Sequence, residues 1–291
     1  MTEQLPPQVI AQLTGMDPAI TPELVANSWA LLRPFHDKVG YNAPKVDRDL
    51  AYGDHARHRL DVHTAGDEQG APVFVFVHGG GFVGGDKHVP GTPQYDHVGA
   101  WAVRNGWVGV TITYRLAPEA TWPSGAQDVA AAVAWVRDNI ASYGGDPSRI
   151  VVAGQSAGAV HVASYVTGQG GGSLAGVRGA VVMSGFYELA ETERGELERI
   201  YYRDAPAAQV STLSGLVAAG LPLLFSVAER DPEFFQQQAA RLVAAWYAAH
   251  QVTPNLVYVA GHNHISEVGT FGVDDAAFPA QAARFVNRVT E

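Results

Sequence analysis

The sequence contains no cysteine. That absence excludes disulfides, thiolate metal sites and cysteine nucleophiles together. Charge is sparse as well: 16% of residues are Asp, Glu, Lys or Arg, against about a quarter in an average chain. Positive charge is the scarcer sign, with 19 Lys and Arg facing 29 Asp and Glu for a net charge of −10. Such a balance argues against nucleic acid and anionic membranes as partners. No apolar run approaches the roughly 18 residues that suggest a membrane span. Met1 to Gly15 lacks the basic-then-apolar order of a secretory leader. A soluble, cytoplasmic protein is the expectation.

What is present is apolar residue, 47% of 291, enough for a large core. The segment Arg149 to Gly158 organises the rest. Ile150 to Ala153 is a short apolar run that breaks into Gly154-Gln155-Ser156-Ala157-Gly158 and continues as a small-residue, helix-compatible segment. A strand feeding a helix through G-x-S-x-G is the signature of a nucleophile elbow, whose tight turn leaves no room for bulk beside the serine.

Along the chain, residues 1–40 look helical. Thr21-Pro22-Glu23 is a helix start with threonine as N-cap and proline at the first helical position, and Pro34 is expected to stop that helix. Val46 to Tyr52 and His58 to His63 read as two strands, the second alternating as a half-exposed antiparallel strand does. Strands then alternate with helices. Val73 to Val77, Val108 to Tyr114, Ile150 to Ala153, Val177 to Met183, Leu221 to Val227 and Leu256 to Val259 are strand candidates. Helices are expected near Tyr95 to Asn105, over Asp128 to Ser142, after Ser156, around Phe235 to Ala249 and over about Asp275 to Val289. Residues 185–220 have no clean period and read as an insertion above the sheet. The fold class is α/β: one domain, 1–291, with a mostly parallel eight-stranded sheet and helices on both faces.

Active sites of open α/β sheets lie beyond the carboxyl ends of the strands. There the sequence places Ser156, Asp231 and His264. A serine hydroxyl needs a base, neutral imidazole suits that role, and the histidine needs an acceptor on its other nitrogen. The Gly79-Gly80-Gly81 run follows the third strand, where Gly80 and Gly81 N–H groups, with that of Ala157, would face an oxyanion. Plainer readings exist. Asp231-Pro232 serves as a helix start, the glycine triplet as a flexible turn, and His262-Asn263-His264 as half a zinc site, though no third ligand is evident. The glycine-rich Gly168 to Gly172 lacks the lysine and spacing of a P-loop. His55, His58, His88 and His97 read as surface or satisfied core residues.

His78-Gly79-Gly80-Gly81, Tyr114 to Glu119, the serine pentapeptide, Asp231-Pro232 and His264 stand in the order seen in α/β-hydrolase carboxylesterases. From about residue 45 onward the chain resembles the hormone-sensitive-lipase-like esterases. Tyr52 to Val62 also resembles the kynurenine-formamidase-like branch. The resemblance implies a serine carboxylesterase acting on a small-molecule ester through an acyl-enzyme, with no metal or organic cofactor. It makes residues 1–40 and 185–220 the cap candidates. In such esterases the catalytic histidine is followed at once by an apolar residue, which favours His264, before Ile265, over His262. An aryl formamide is the alternative substrate, and a non-catalytic small-molecule receptor the remote one. The oligomeric state stays open, a homodimer among the options.

Overall fold

The computed structural model describes residues 5–273 and 278–291. Two N-terminal helices, α1 (Pro7–Gly15) and α2 (Pro22–Val39), precede the strands β1 (Lys45–Ala51), β2 (Arg59–Thr64) and β3 (Ala71–Val77). Then follow α3 (Asp96–Arg104), β4 (Val108–Ile112), α4 (Ser124–Asn139), β5 (Gly145–Gln155), α5 (Ala157–Val166) and β6 (Val177–Met183). Three short helices, α6 (Glu196–Tyr202), α7 (Ala207–Val210) and α8 (Leu213–Val217), fill most of the segment before β7 (Leu223–Arg230). The chain ends with α9 (Glu233–His250), β8 (Leu256–Asn263), α10 (Ser266–Gly269) and α11 (Phe278–Thr290). The expected start of the last helix at Asp275 lies outside the described residues.

The strands form one eight-stranded sheet in the order β1-β2-β4-β3-β5-β6-β7-β8. β1 and β2 run antiparallel to their neighbours, and the remaining pairs are parallel. This is the α/β architecture expected from the alternation of elements. The core divides along the pleat of β3. Val73, Val75 and Val77 join Val129, Val133 and Val136 of α4 on one face. Phe74 and Phe76 meet Trp101 of α3 and Phe278 and Phe285 of α11 on the other. A strand buried on both faces has no polar position to alternate, which is why β3 reads as continuous apolar sequence.

Four local expectations change. Pro34 does not stop α2, which continues to Val39. Pro34 and Ala30, whose carbonyl loses its helical partner, both lie on the solvent face of α2. His36, one half-turn on, is buried and bonds Gly269 O at 2.8 Å, which holds the last turn in place. β2 is not half exposed: Asp61 and His63 are buried because α3 covers their face. Asp61 is compensated there by Arg48 at 2.7 Å and Lys87 at 2.8 Å. α4 begins at Ser124, four residues before Asp128, and Asp128 is a buried acceptor for Arg115 and His58. β8 runs past Val259 to Asn263, bringing Gly261 and His262 into the strand. Its small and polar end is held by pairing of Asn263 with Arg230 of β7.

Five buried histidines join the core. Burial lowers His36, His63 and His78 from the ordinary 6.5 to about 4, and His97 and His161 to about 3. The folded chain keeps these rings neutral where the unfolded chain protonates them, so the unfolded state binds more protons below about 6.5 and stability rises with pH there. Their contribution is complete above pH 6.5 and is lost as pH falls toward 4. Thermal melts should give a Tm that drops steadily between pH 6.5 and 4. A constant Tm through that interval would contradict neutral burial of these rings.

Candidate active site

The turn between β5 and α5 carries Ser156. Its backbone has φ 56° and ψ −123°, a conformation that side-chain-bearing residues rarely adopt. Ser156 N donates to Met183 O at 2.9 Å, and Ser156 O accepts from Val160 N at 3.1 Å, so the strained residue is fixed from both sides. The flanking glycines are required by close approach. A Cβ on Gly154 would lie 2.4 Å from Gly158 O, and one on Gly158 only 2.2 Å from Val77 O. The serine therefore stands directly beside the end of β3.

That end leads into the glycine run. Gly80 and Gly81 have φ of 130° and 59°. Their N–H groups and that of Ala157 donate to no acceptor among the described residues. His78 anchors the run: its ring stacks on Tyr114 at 4.4 Å, and Nδ1–H donates to Gly79 O at 2.6 Å. Arg57 ties the returning chain down, donating to Tyr114 O at 2.7 Å and Gly85 O at 2.9 Å.

Asp231 and His264 come from the next two strand ends. Asp231, just after β7, is 5% exposed. Its Oδ1 is 2.5 Å from His264 Nδ1, and its Oδ2 accepts from Ala228 N at 2.8 Å. His264 sits one residue beyond β8, where the chain turns into α10. Asn263 and Ser266 shape that turn reciprocally: Ser266 N donates to Asn263 Oδ1 and Asn263 N to Ser266 Oγ, both at 2.9 Å. Gln155 Nε2 donates to His264 O at 2.9 Å, and the Phe235 ring lies 4.6 Å from the imidazole. His264 Nε2 is buried with no hydrogen-bond partner. An unbroken strand would put residues 262 and 264 on the same side; the turn separates them. His262 Nδ1 pairs with Ser266 Oγ at 3.1 Å, and His262 does not line the cavity that holds His264.

Ser156, Gly80, Gly81, Ala157 and His264 all line one cavity of about 420 Å³. Its remaining wall is mostly apolar. Ile20, Val25 and Trp29 come from the N-terminal segment, Phe186 and Leu197 from the segment before β7, and Phe234 and Phe235 from α9. None of these wall residues carried a motif in the sequence: the segment before β7 has no clean period, and the helical spacing that places Phe235 on a face of α9 does not say which cavity that face meets. Ser184 and Glu267, beside Asp231, were also missed. A non-glycine φ of 44° at Ser184 is invisible in sequence.

One group among the described residues has the composition of a metal site. Asp61, His63 and Asp96 are buried, with their ligand atoms within 4.8 Å of one another. Arg48 bridges Asp61 and Asp96 at 2.7 and 2.6 Å, and Lys87 reaches Asp61 at 2.8 Å, so side-chain cations already supply the positive charge. His55, His58 and His88 pair with Glu119, Asp128 and Asp96, and the ring nitrogens of His97 lie 2.9 and 3.0 Å from the carbonyl oxygens of Pro93 and Val268, to one of which the neutral ring donates.

With this geometry in view, comparison with known proteins places the fold. The hyperthermophilic esterase of the archaeon Pyrobaculum calidifontis superposes with a TM-score of 0.71 over 99% of this chain and 100% of its own, at 24% identity. A bacterial heroin esterase gives 0.70 over 99% and 98%, at 23% identity. The chain has the α/β-hydrolase fold. Its residues 60–174 match the BD-FAE family. Within the fold, parts of this chain are similar in sequence to carboxylesterases. The chain is 41% identical over 113 residues to the esterase LipC of Mycobacterium tuberculosis, covering 38% of this chain and 27% of LipC. It is 51% identical over 89 residues to the carboxylesterase NlhH of the same organism, covering 30% and 26%. The alignments thus span about a quarter of the length of these relatives. No helix among the described residues is long and apolar enough to cross a membrane.

The two kinds of glycine contact separate experimentally. A Cβ on Gly158 meets backbone at 2.2 Å, whereas one on Gly81 meets only the flexible Leu197 side chain at 2.6 Å. Gly158→Ala should lower the Tm more than Gly81→Ala, whose cost is the left-handed conformation, about 1–2 kcal/mol. Equal melting temperatures would mean that β3 and the elbow separate without loss.

Proposed function

We propose that this chain is a serine carboxylesterase that hydrolyses small to medium carboxylic esters through an acyl-enzyme. One observation carries the reading: a histidine held by a buried carboxylate at 2.5 Å, with its other nitrogen unpaired, lines the same cavity as a serine on a strained strand-to-helix turn. Ser156 Oγ attacks the ester carbonyl while His264 Nε2 takes its proton. Asp231 fixes the tautomer and stabilises the imidazolium. The N–H groups of Gly80, Gly81 and Ala157 receive the oxyanion. His264 then protonates the departing alcohol. Water, deprotonated by the same histidine, releases the acid and restores Ser156.

The apolar wall supports a neutral ester of modest size. Segments 1–40 and 185–220 act in this reading as caps of a single catalytic domain, since both supply wall residues. A cysteine-free composition suits a cytoplasmic enzyme, which needs no oxidising compartment. Similarity to proteins named as esterases supports an ester, rather than an aryl formamide, as the substrate of this chain.

Ser156→Ala should lower kcat on a short-chain p-nitrophenyl ester by about 10⁴-fold or more, and abolish fluorophosphonate labelling. His264→Ala should match it, since nucleophile and base act as a unit, while His262→Ala retains at least about a few per cent of activity. Retained turnover in Ser156→Ala sinks the assignment, and the reverse ranking of the histidines moves the base to His262. Faster turnover of N-formylkynurenine than of the ester would make the formamide the substrate class.

A further inference from the structure

The carboxyl group of Glu267 has no part in the steps above, yet it is completely buried within reach of them. It belongs to α10, three residues after His264. Ser184, one residue beyond β6, links it to the reactive pair: Ser184 Oγ lies 2.6 Å from Glu267 Oε2 and 2.6 Å from Asp231 Oδ2. A hydroxyl has one proton to give. Two ionised carboxylates at that distance would need two, so one of the carboxyl groups carries a proton itself.

The surroundings say which. Asp231 accepts from Ala228 N–H and from His264 Nδ1, so its charge is well solvated by donors. Glu267 accepts from no backbone N–H among the described residues. Among these, only the hydroxyls of Ser184 and Ser226 face its carboxyl, and they do not offset the cost of its burial. Burial, and then the charge of Asp231, push Glu267 up to about 8. The other titratable groups nearby are His264 and the buried Tyr187 phenol, itself raised by burial and by these two acids. His97 and His36 sit on the carbonyls of Val268 and Gly269 with their rings neutral.

We propose that Glu267, as a protonated acid, is a positioning residue: it donates to Ser184, Ser184 donates to Asp231, and this chain sets the carboxylate plane that receives His264. The proposal rests on the reading of Ser156, Asp231 and His264 given above. Asp231 has two oxygens with separate tasks. Oδ1 takes the histidine, and Oδ2 is held by Ala228 N–H and Ser184. Losing Ser184 as a donor leaves Oδ2 with the backbone contact alone and lets the carboxylate turn. When Glu267 ionises, the single Ser184 proton is contested between two anions, with the same result.

The test compares three single variants on the ester substrate. Glu267→Gln keeps a donor toward Ser184 and should stay within about threefold of wild-type kcat. Glu267→Leu and Ser184→Ala break the chain and should each lower kcat by about 10- to 100-fold, the range a small misplacement of reacting groups produces, with KM little changed. Their combination should fall no further than the weaker single variant, because both act on one link. Wild-type activity should decline as pH rises through about 8, where Glu267 ionises, and Glu267→Gln should lack that decline. An alkaline limb that persists in Glu267→Gln overturns the proposal, as does a folded Glu267→Leu with unchanged kcat. Should Glu267→Leu fail to fold, the pH comparison with the glutamine variant still decides. Turnover that survives Ser156→Ala instead overturns the underlying reading of the site, independently of Glu267.

Discussion

The structure depends on how closely the turn after β5 approaches the end of β3. With no Cβ at Gly154 or Gly158, the first turn of α5 lies against the carbonyls of Val77 and His78. That contact puts Ser156 and the Gly80–Gly81 backbone on either side of one space. Everything else at the site is added around it. β3 is buried from Val73 to Val77 and β5 from Ile150 to Gln155, so both segments that meet here leave a closely packed part of the sheet. Strain at Ser156 persists because bonds to Met183 and Val160 hold its backbone on both sides.

Around this centre, buried polar groups are compensated by other side chains more than by solvent. Arg48 and Lys87 neutralise Asp61 and Asp96, and so fasten the loop after the glycine run to the edge of the sheet. Asp128 does the same for the chain at Tyr114 and Arg115. An unpaired buried carboxylate would be costly, and each of these acids has its own cation. Glu267 has none, and the proton it retains serves in place of a cation. The scarcity of positive charge in the composition makes this economical, since most basic side chains near the site already have partners.

The N-terminal helices are tied to the same region by histidine rather than by charge. His36 of α2 and His97 of α3 bond consecutive residues of α10, Gly269 and Val268, and pack at 4.9 Å against each other. α10 in turn follows the turn that carries His264. The wall of the cavity contributed by Trp29 is therefore continuous, through packed rings, with the element that positions the imidazole. Neutral histidine suits this place because one ring nitrogen donates to a carbonyl while no charge is buried.

Much of this was legible in the chain. Continuous apolar runs gave the parallel strands, because burial on both faces removes alternation. Local backbone chemistry gave the elbow, the glycine run and the start of α2 at Thr21, whose hydroxyl accepts from Leu24 N at 3.1 Å. Such features are set within a few residues, so sequence determines them. What sequence could not supply were facts that depend on a second segment. Whether Pro34 ends a helix was decided by solvent on its outer face and Gly269 beneath it. Whether Asp61 is exposed was decided by α3 and by Lys87. Which of two histidines meets Asp231 was decided by a turn locked between Asn263 and Ser266, and the further side-chain partner of Asp231, Ser184, came from the residue after β6. Sequence by itself determined the elements and the kinds of reactive group at their ends. Tertiary structure alone decided their orientation, protonation and enclosure, because those follow from contacts between residues far apart in the chain.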